Sequence, residues 1–170
     1  MVDKNALADE WKSSFAGYLA GRGSRIHFIG TGNSLRGDDA VGLYIARELR
    51  SRHGKKMPAN VSVYPVSLNP ELEMSRLDLT DSKLVIFDAV ECDSPPGNII
   101  CAMLEDTKYG FFATHNIPLR LIPSLSVNSG SVMIVGIQPL STEIGSGITQ
   151  VVRKSAAEVI RSAAEILGAG

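Results

Sequence analysis

Cysteine is nearly absent from this chain. Cys92 and Cys101 are the only two in 170 residues, and their spacing makes neither a disulfide framework nor a C-x-x-C metal clip. Neither sign of charge dominates. A formal net charge of -1 and the lack of a basic run argue against nucleic acid as the main partner. No apolar stretch reaches the ~18 residues needed to span a bilayer. Near the start, Asp3, Lys4, Asp9, Glu10 and Lys12 stand where a secretory signal would carry an apolar run. These absences point to a cytoplasmic protein.

What is present is ordinary in bulk and distinctive in places. A hydrophobic content of 44% and a charged content of 21% suit a globular chain with a proper core, and the length suits a single domain. The chain is organised around residues 26–42. Ile26-His27-Phe28-Ile29 reads as a buried strand, Gly30-Thr31-Gly32-Asn33-Ser34-Leu35-Arg36-Gly37 as a glycine-rich turn, and Asp38-Asp39 as the start of a helix. Val41, Ile45, Ala46 and Leu49 then fall at the spacing of one buried helical face. The glycines at 30, 32 and 37 free the backbone for positive φ and for close approach by a ligand.

A phosphate-cradling turn is the first reading to test. The dinucleotide fingerprint G-x-G-x-x-G fails because its third glycine position is Leu35. Gly32 and Gly37 have the spacing of a P-loop, but Asp38-Asp39 stand where Lys and Ser/Thr are required. Two carboxylates repel phosphate and attract a cation, so a metal or a cationic group fits better.

The remaining elements alternate. Residues 4–20 predict an amphipathic helix with Leu7, Trp11, Phe15 and Leu19 on one face, whose expected role is packing onto the domain. Val61 to Val66 predicts a strand interrupted near Pro65, and Asn69 to about Arg76 a helical segment. Lys83-Leu84-Val85-Ile86-Phe87-Asp88-Ala89 reads as a central strand covered on both faces. It ends on an Asp, where open α/β sheets bind ligands. Asn98 to Leu104 follows too closely for a crossover helix and is expected to run antiparallel. Thr114-His115-Asn116-Ile117-Pro118 precedes a short helix to about Leu125. Val132 to Ile137 is the last strand, and Gly147 to Leu167 the closing helix. The fold class is therefore α/β: a three-layer α/β/α sandwich, with residues 1–24 as an N-terminal helical extension and 25–170 as one domain.

Asp39, Asp88 and His115 all fall at strand tips or in loops that a largely parallel sheet gathers along one edge. Two carboxylates and an imidazole suit Zn²⁺, Ni²⁺ or a similar ion with open coordination positions. His27, within a strand, and His53, near a helix end, read as structural or surface residues.

The sequence Gly30-Thr31-Gly32-Asn33-Ser34-Leu35-Arg36-Gly37-Asp38-Asp39-Ala40-Val41-Gly42 resembles the opening motif of the [NiFe]-hydrogenase maturation endopeptidases. Val85-Ile86-Phe87-Asp88-Ala89, Pro96-Gly97, Thr114-His115-Asn116-Ile117-Pro118-Leu119 and Gly136-Ile137-Gln138-Pro139 follow in that family's order. The resemblance spans about residues 26 to 165. It implies a twisted, mostly parallel five-stranded sheet with one antiparallel strand. It also implies a metal-assisted endopeptidase that removes the C-terminal extension of the nickel-loaded hydrogenase large-subunit precursor. The alternative is a non-catalytic module that recognises metal or precursor as a maturation checkpoint. Carried over residue by residue, the resemblance makes Asp39, Asp88 and His115 the catalytic and metal-contacting residues, and Asp38 a helix cap or a supporting group. Nickel would arrive with the substrate, while Zn or Cd could occupy the site in vitro. Ala40 stands where many members have glycine, and the helix of residues 4–20 precedes the usual family start.

No Ser-His-Asp arrangement is visible, and neither cysteine has a motif-supported base. Cys92, four residues past Asp88, reads as a small loop thiol. Cys92→Ala is accordingly expected to process precursor at the parent rate, measured as peptide released per unit time.

Overall fold

The computed structural model describes residues 4–20, 24–66, 73, 75–104, 112–113 and 129–170. In chain order the elements are α1 (Lys4–Leu19), β1 (Arg25–Gly30), a 3-10 turn (Gly37–Ala40), α2 (Val41–Glu48) continued by a π-turn (Leu49–His53), and β2 (Val61–Pro65). There follow β3 (Ser82–Glu91), β4 (Ile99–Met103), β5 (Phe112–Ala113), β6 (Ser129–Ile137) and α3 (Gln150–Ile166).

Five strands lie in the order β2-β1-β3-β6-β4, and the two-residue β5 pairs with the far end of β3. The pairs β1–β2, β1–β3 and β3–β6 are parallel. β4 runs antiparallel to β6, as the short connection from β3 requires. The five-stranded, mostly parallel sheet is thus the one expected. The chain steps from β1 outward to β2, then returns to place β3 on the other side of β1. Such a reversal opens a crevice at the carboxyl ends of the two diverging strands.

Side chains alternate across the sheet with the period of two that a pleated strand imposes. Ile26, Phe28, Val85, Phe87, Met133 and Val135 face one way, toward a core that also holds residues of all three α-helices. Ile29, Leu84, Ile86, Val132 and Ile134 face the other way, toward Val66, Leu79 and Leu104. The expected helices near Asn69–Arg76 and after Pro118 fall wholly or mostly outside the described residues.

α3 forms because Val152, Ala156, Val159, Ile160 and Ala163 recur at helical spacing, and all five are buried. α1 enters the same core through Trp11, Phe15 and Leu19, so packing is the role of Trp11. The Phe15 ring lies 6.4 Å from those of both Trp11 and Phe28. Lys83 Nζ donates to the Tyr18 and Ala20 carbonyls at 2.7 Å, joining the end of α1 to β3. Phe15→Ala should therefore cost the whole domain about 3–5 kcal/mol, read as a lower midpoint of a single cooperative denaturant transition. Loss of α1 signal alone, in a separate earlier transition, would contradict this shared core.

Candidate active site

β1 stops pairing with β3 at the Gly30–Phe87 register position, while β3 continues to Glu91. The sequence reading ended the central strand at Ala89. The extension is supported on one side by β6 as far as Ala89 and then by β5, whose Ala113 and Phe112 pair with Val90 and Glu91. Asp88 is the first β3 residue beyond the end of β1, and so faces the crevice at the topological switch point.

The loop leaving β1 folds back over this place. Thr31 N–H donates to the Phe87 carbonyl at 3.0 Å and its hydroxyl donates to the same oxygen at 3.2 Å. The Leu43 N–H donates to the Thr31 carbonyl at 3.1 Å, bringing the first turn of α2 against the strand end. A Cβ on Gly30 would lie 2.1 Å from the Gly42 carbonyl oxygen, and one on Gly42 would lie 2.0 Å from the Phe87 carbonyl oxygen. At Gly32, where φ is +136°, it would lie 1.9 Å from the Asp39 carbonyl oxygen. The room these glycines make is filled by the protein's own backbone. The expectation of space for a ligand is corrected here: the glycines let α2 and the turn lie directly on the sheet.

The two adjacent carboxylates have separate fates. Asp38 is fully buried, and its carboxylate accepts from Leu140 N–H (2.8 Å), Ser141 N–H (3.0 Å), Thr149 N–H (2.6 Å) and Thr149 Oγ1 (3.0 Å). It does not cap the helix that it precedes. It holds the loop after β6 and the residue that opens α3. Asp39, next in the 3-10 turn, is also buried.

Asp88 is fully buried. Its Oδ1 accepts from the Ala89 N–H at 2.9 Å, while Oδ2 is buried without a hydrogen-bond partner. Burial pushes its pKa up to about 8; the charge of Asp39 adds to the rise, and the Ala89 N–H and nearby Thr31 hydroxyl offset part of it. At neutral pH the group is therefore mostly a neutral acid held beside a second carboxylate. Such an arrangement is poised to exchange its proton for a cation.

His115 lies outside the described residues, and among the described residues no group of three His, Cys, Asp or Glu is assembled for a metal. His27 and His53 lie elsewhere. His27 is buried, stacked on Tyr64 at 5.7 Å, with Nε2 3.2 Å from Ser82 Oγ; burial lowers its pKa. His53 Nδ1 sits 2.9 Å from the Ala169 carbonyl oxygen. Cys92 N–H donates to Gln138 Oε1 at 2.8 Å, and its sulfur lies 3.1 Å from Ser94 Oγ. Burial pushes the Cys101 thiol up to about 12. The sequence reading missed Thr31 and the role of Gln138, although both stand within the quoted motifs.

The hydrogenase maturation protease (HycI) family model matches residues 44–166. The chain belongs to the hydrogenase maturation protease family. HycI from Thermococcus kodakarensis KOD1, a [NiFe] hydrogenase maturation protease, superposes with a TM-score of 0.78 at 26% identity, covering 91% of this chain and 99% of its own. The endopeptidase HycI from Escherichia coli gives 0.62 at 25% identity, with 84% and 92% covered. The E. coli hydrogenase maturating endopeptidase HybD gives 0.69 at 24% identity, with 85% and 92% covered, and speaks for the fold alone. This maturation protease is thus a hydrolase, an endopeptidase of hydrogenase processing. No helix among its described residues is long and apolar enough to cross a membrane.

Because Asp88 binds its proton more tightly folded (about 8) than at its ordinary value of 3.8, its contribution to stability is greatest below the ordinary value. That contribution is lost as pH rises toward the folded one. Asp88→Asn should remove this slope and stabilise the metal-free protein by roughly 2–3 kcal/mol at pH 7. Denaturant titrations of both proteins from pH 4 to pH 8.5 check this; parallel curves would refute it.

Proposed function

We propose that this protease removes the C-terminal extension of the nickel-loaded [NiFe]-hydrogenase large-subunit precursor, in the cytoplasm and with assistance from the metal. The observation that carries the proposal is the unpartnered, buried Oδ2 of Asp88 beside Asp39, at the crevice between β1 and β3. An apolar wall would complete a purely structural crevice. A carboxyl oxygen with no donor is instead satisfied by a cation.

The donor set fits nickel carried in by the substrate. Asp39 and Asp88 supply oxygen ligands, and His115 would supply the nitrogen. His115 follows Ala113 by two positions, and Ala113 pairs with Val90, two positions beyond Asp88. That register supports its inclusion. Nickel in this position would polarise the scissile carbonyl or lower the pKa of an attacking water. Asp88 would release its proton to solvent on engaging the cation, and a carboxylate of the pair would accept the proton of the attacking water and return it to the leaving amine as the peptide bond breaks. The hydrogen bonds of Thr31 and the clamp by Asp38 keep the strand end and turn in place while this happens. Zn²⁺ or Cd²⁺ would take the same oxygens in vitro.

The test is the mass of a large-subunit precursor before and after incubation. One defined C-terminal peptide should be released from nickel-loaded precursor and not from nickel-free precursor. Asp39→Ala, Asp88→Ala and His115→Ala should each reduce release by at least about a hundredfold. Stable binding without a change of mass would show a checkpoint module in place of a peptidase for this precursor. Full release by His115→Ala would remove that residue from the site.

A further inference from the structure

Among the described residues, large apolar side chains at the surface are few, and three of them lie on two loops that touch. Leu35 (68% exposed), Leu140 (59%) and Ile144 (81%) sit on two loops that lie against each other: the turn leading into Asp39 and the loop leaving β6. Gly145 N–H donates to the Leu35 carbonyl at 2.8 Å, and Asp38 N–H donates to the Ser141 carbonyl at 2.9 Å. The buried Asp38 carboxylate binds the Leu140 and Ser141 N–H groups in return. Within the second loop, Ser146 Oγ donates to the Glu143 carbonyl at 2.7 Å.

Single exposed apolar residues are normal on any surface. These three differ in being fixed by a hydrogen-bonded framework whose anchor is a buried charge. Asn33, Ser34, Arg36 and Glu143, which adjoin them along the two loops, are all exposed. An apolar centre with a polar margin has the composition of a protein-recognition surface. The first of the two loops also carries Asp39, four positions after Leu35, and the Asp39 N–H donates to the Arg36 carbonyl at 3.0 Å, so one hydrogen-bonded turn bears both the exposed Leu35 and the candidate ligand.

We infer that Leu35, Leu140 and Ile144 form the docking surface for apolar side chains of the hydrogenase precursor adjoining the bond to be cut. The inference rests on the precursor-processing reading for its occupant. Asp38 is then a positioning residue in two respects, since one carboxylate holds both the docking loops and the turn that presents Asp39. Contact with the patch would seat the precursor beside the carboxylate pair by burial of apolar surface, without any change in the reacting groups.

The test combines binding and turnover, using the whole protein and nickel-loaded precursor. The triple variant Leu35→Ser, Leu140→Ser, Ile144→Ser should raise both the Kd for precursor and the KM by about tenfold or more, with kcat within about twofold of the parent. The triple methionine variant at the same positions should restore most of the affinity. Unchanged Kd and KM would overturn the inference, as would a fall in kcat with Kd unchanged. A parent protein that self-associates through these residues, with precursor affinity unaffected by the serines, would overturn it in favour of a second copy. If the parent protein binds precursor and releases no peptide, the processing reading fails, and the Kd comparison still decides the patch.

Discussion

A single buried carboxylate holds the functional edge of this protein together. Asp38 has no access to solvent, yet both of its oxygens accept hydrogen bonds, three of the four from backbone N–H groups. A buried charge without such partners would be costly; with them it is among the stronger local constraints available to a fold. Its donors belong to the loop after β6 and to Thr149, the N-cap residue of α3. Thr149 spends its hydroxyl on Asp38 and makes no side-chain cap of its own helix. The turn after the first strand, the loop after the last strand and the closing helix are therefore tied together by one side chain.

The second constraint is steric. α2 lies so close to β1 and β3 that no Cβ is tolerated at Gly30 or Gly42. Close approach places Thr31 over the end of β3 and delivers Asp39 next to Asp88. Neither carboxylate acts through its own strength alone. Asp88 is made a weak acid by burial and by its neighbour, and what keeps the neighbour there is the packing of glycine backbone around Thr31. The electrostatics of this carboxylate pair thus depend on close contacts between main-chain atoms.

Much of this was legible from local pattern. The uninterrupted apolar run identified β3, and the short link after it identified β4 as antiparallel. Helical spacing identified α1, α2 and α3 to within a few residues. Asp39 and Asp88 were legible as candidates because chain order and a parallel sheet bring strand ends to one edge. Positive φ at Gly32 and Gly37 is as expected; room for a ligand is not what the glycines leave, since a glycine that admits a ligand and one that admits a neighbouring helix look alike in one dimension. β3 was read two residues short, because the partner that extends it, Phe112–Ala113, has no periodicity of its own at that length.

The sequence by itself determined the order and type of the three long helices and the five main strands, the identity of the acidic pair and the family. Each rests on local spacing, which the chain carries with it before it folds. Only the tertiary structure decided what Asp38 holds in place. The partners that saturate Asp38 lie 102 to 111 positions downstream, and the burial that turns Asp88 into a neutral acid comes from strands and loops on every side of it. Two adjacent aspartates are chemically identical until the fold gives each its own neighbours.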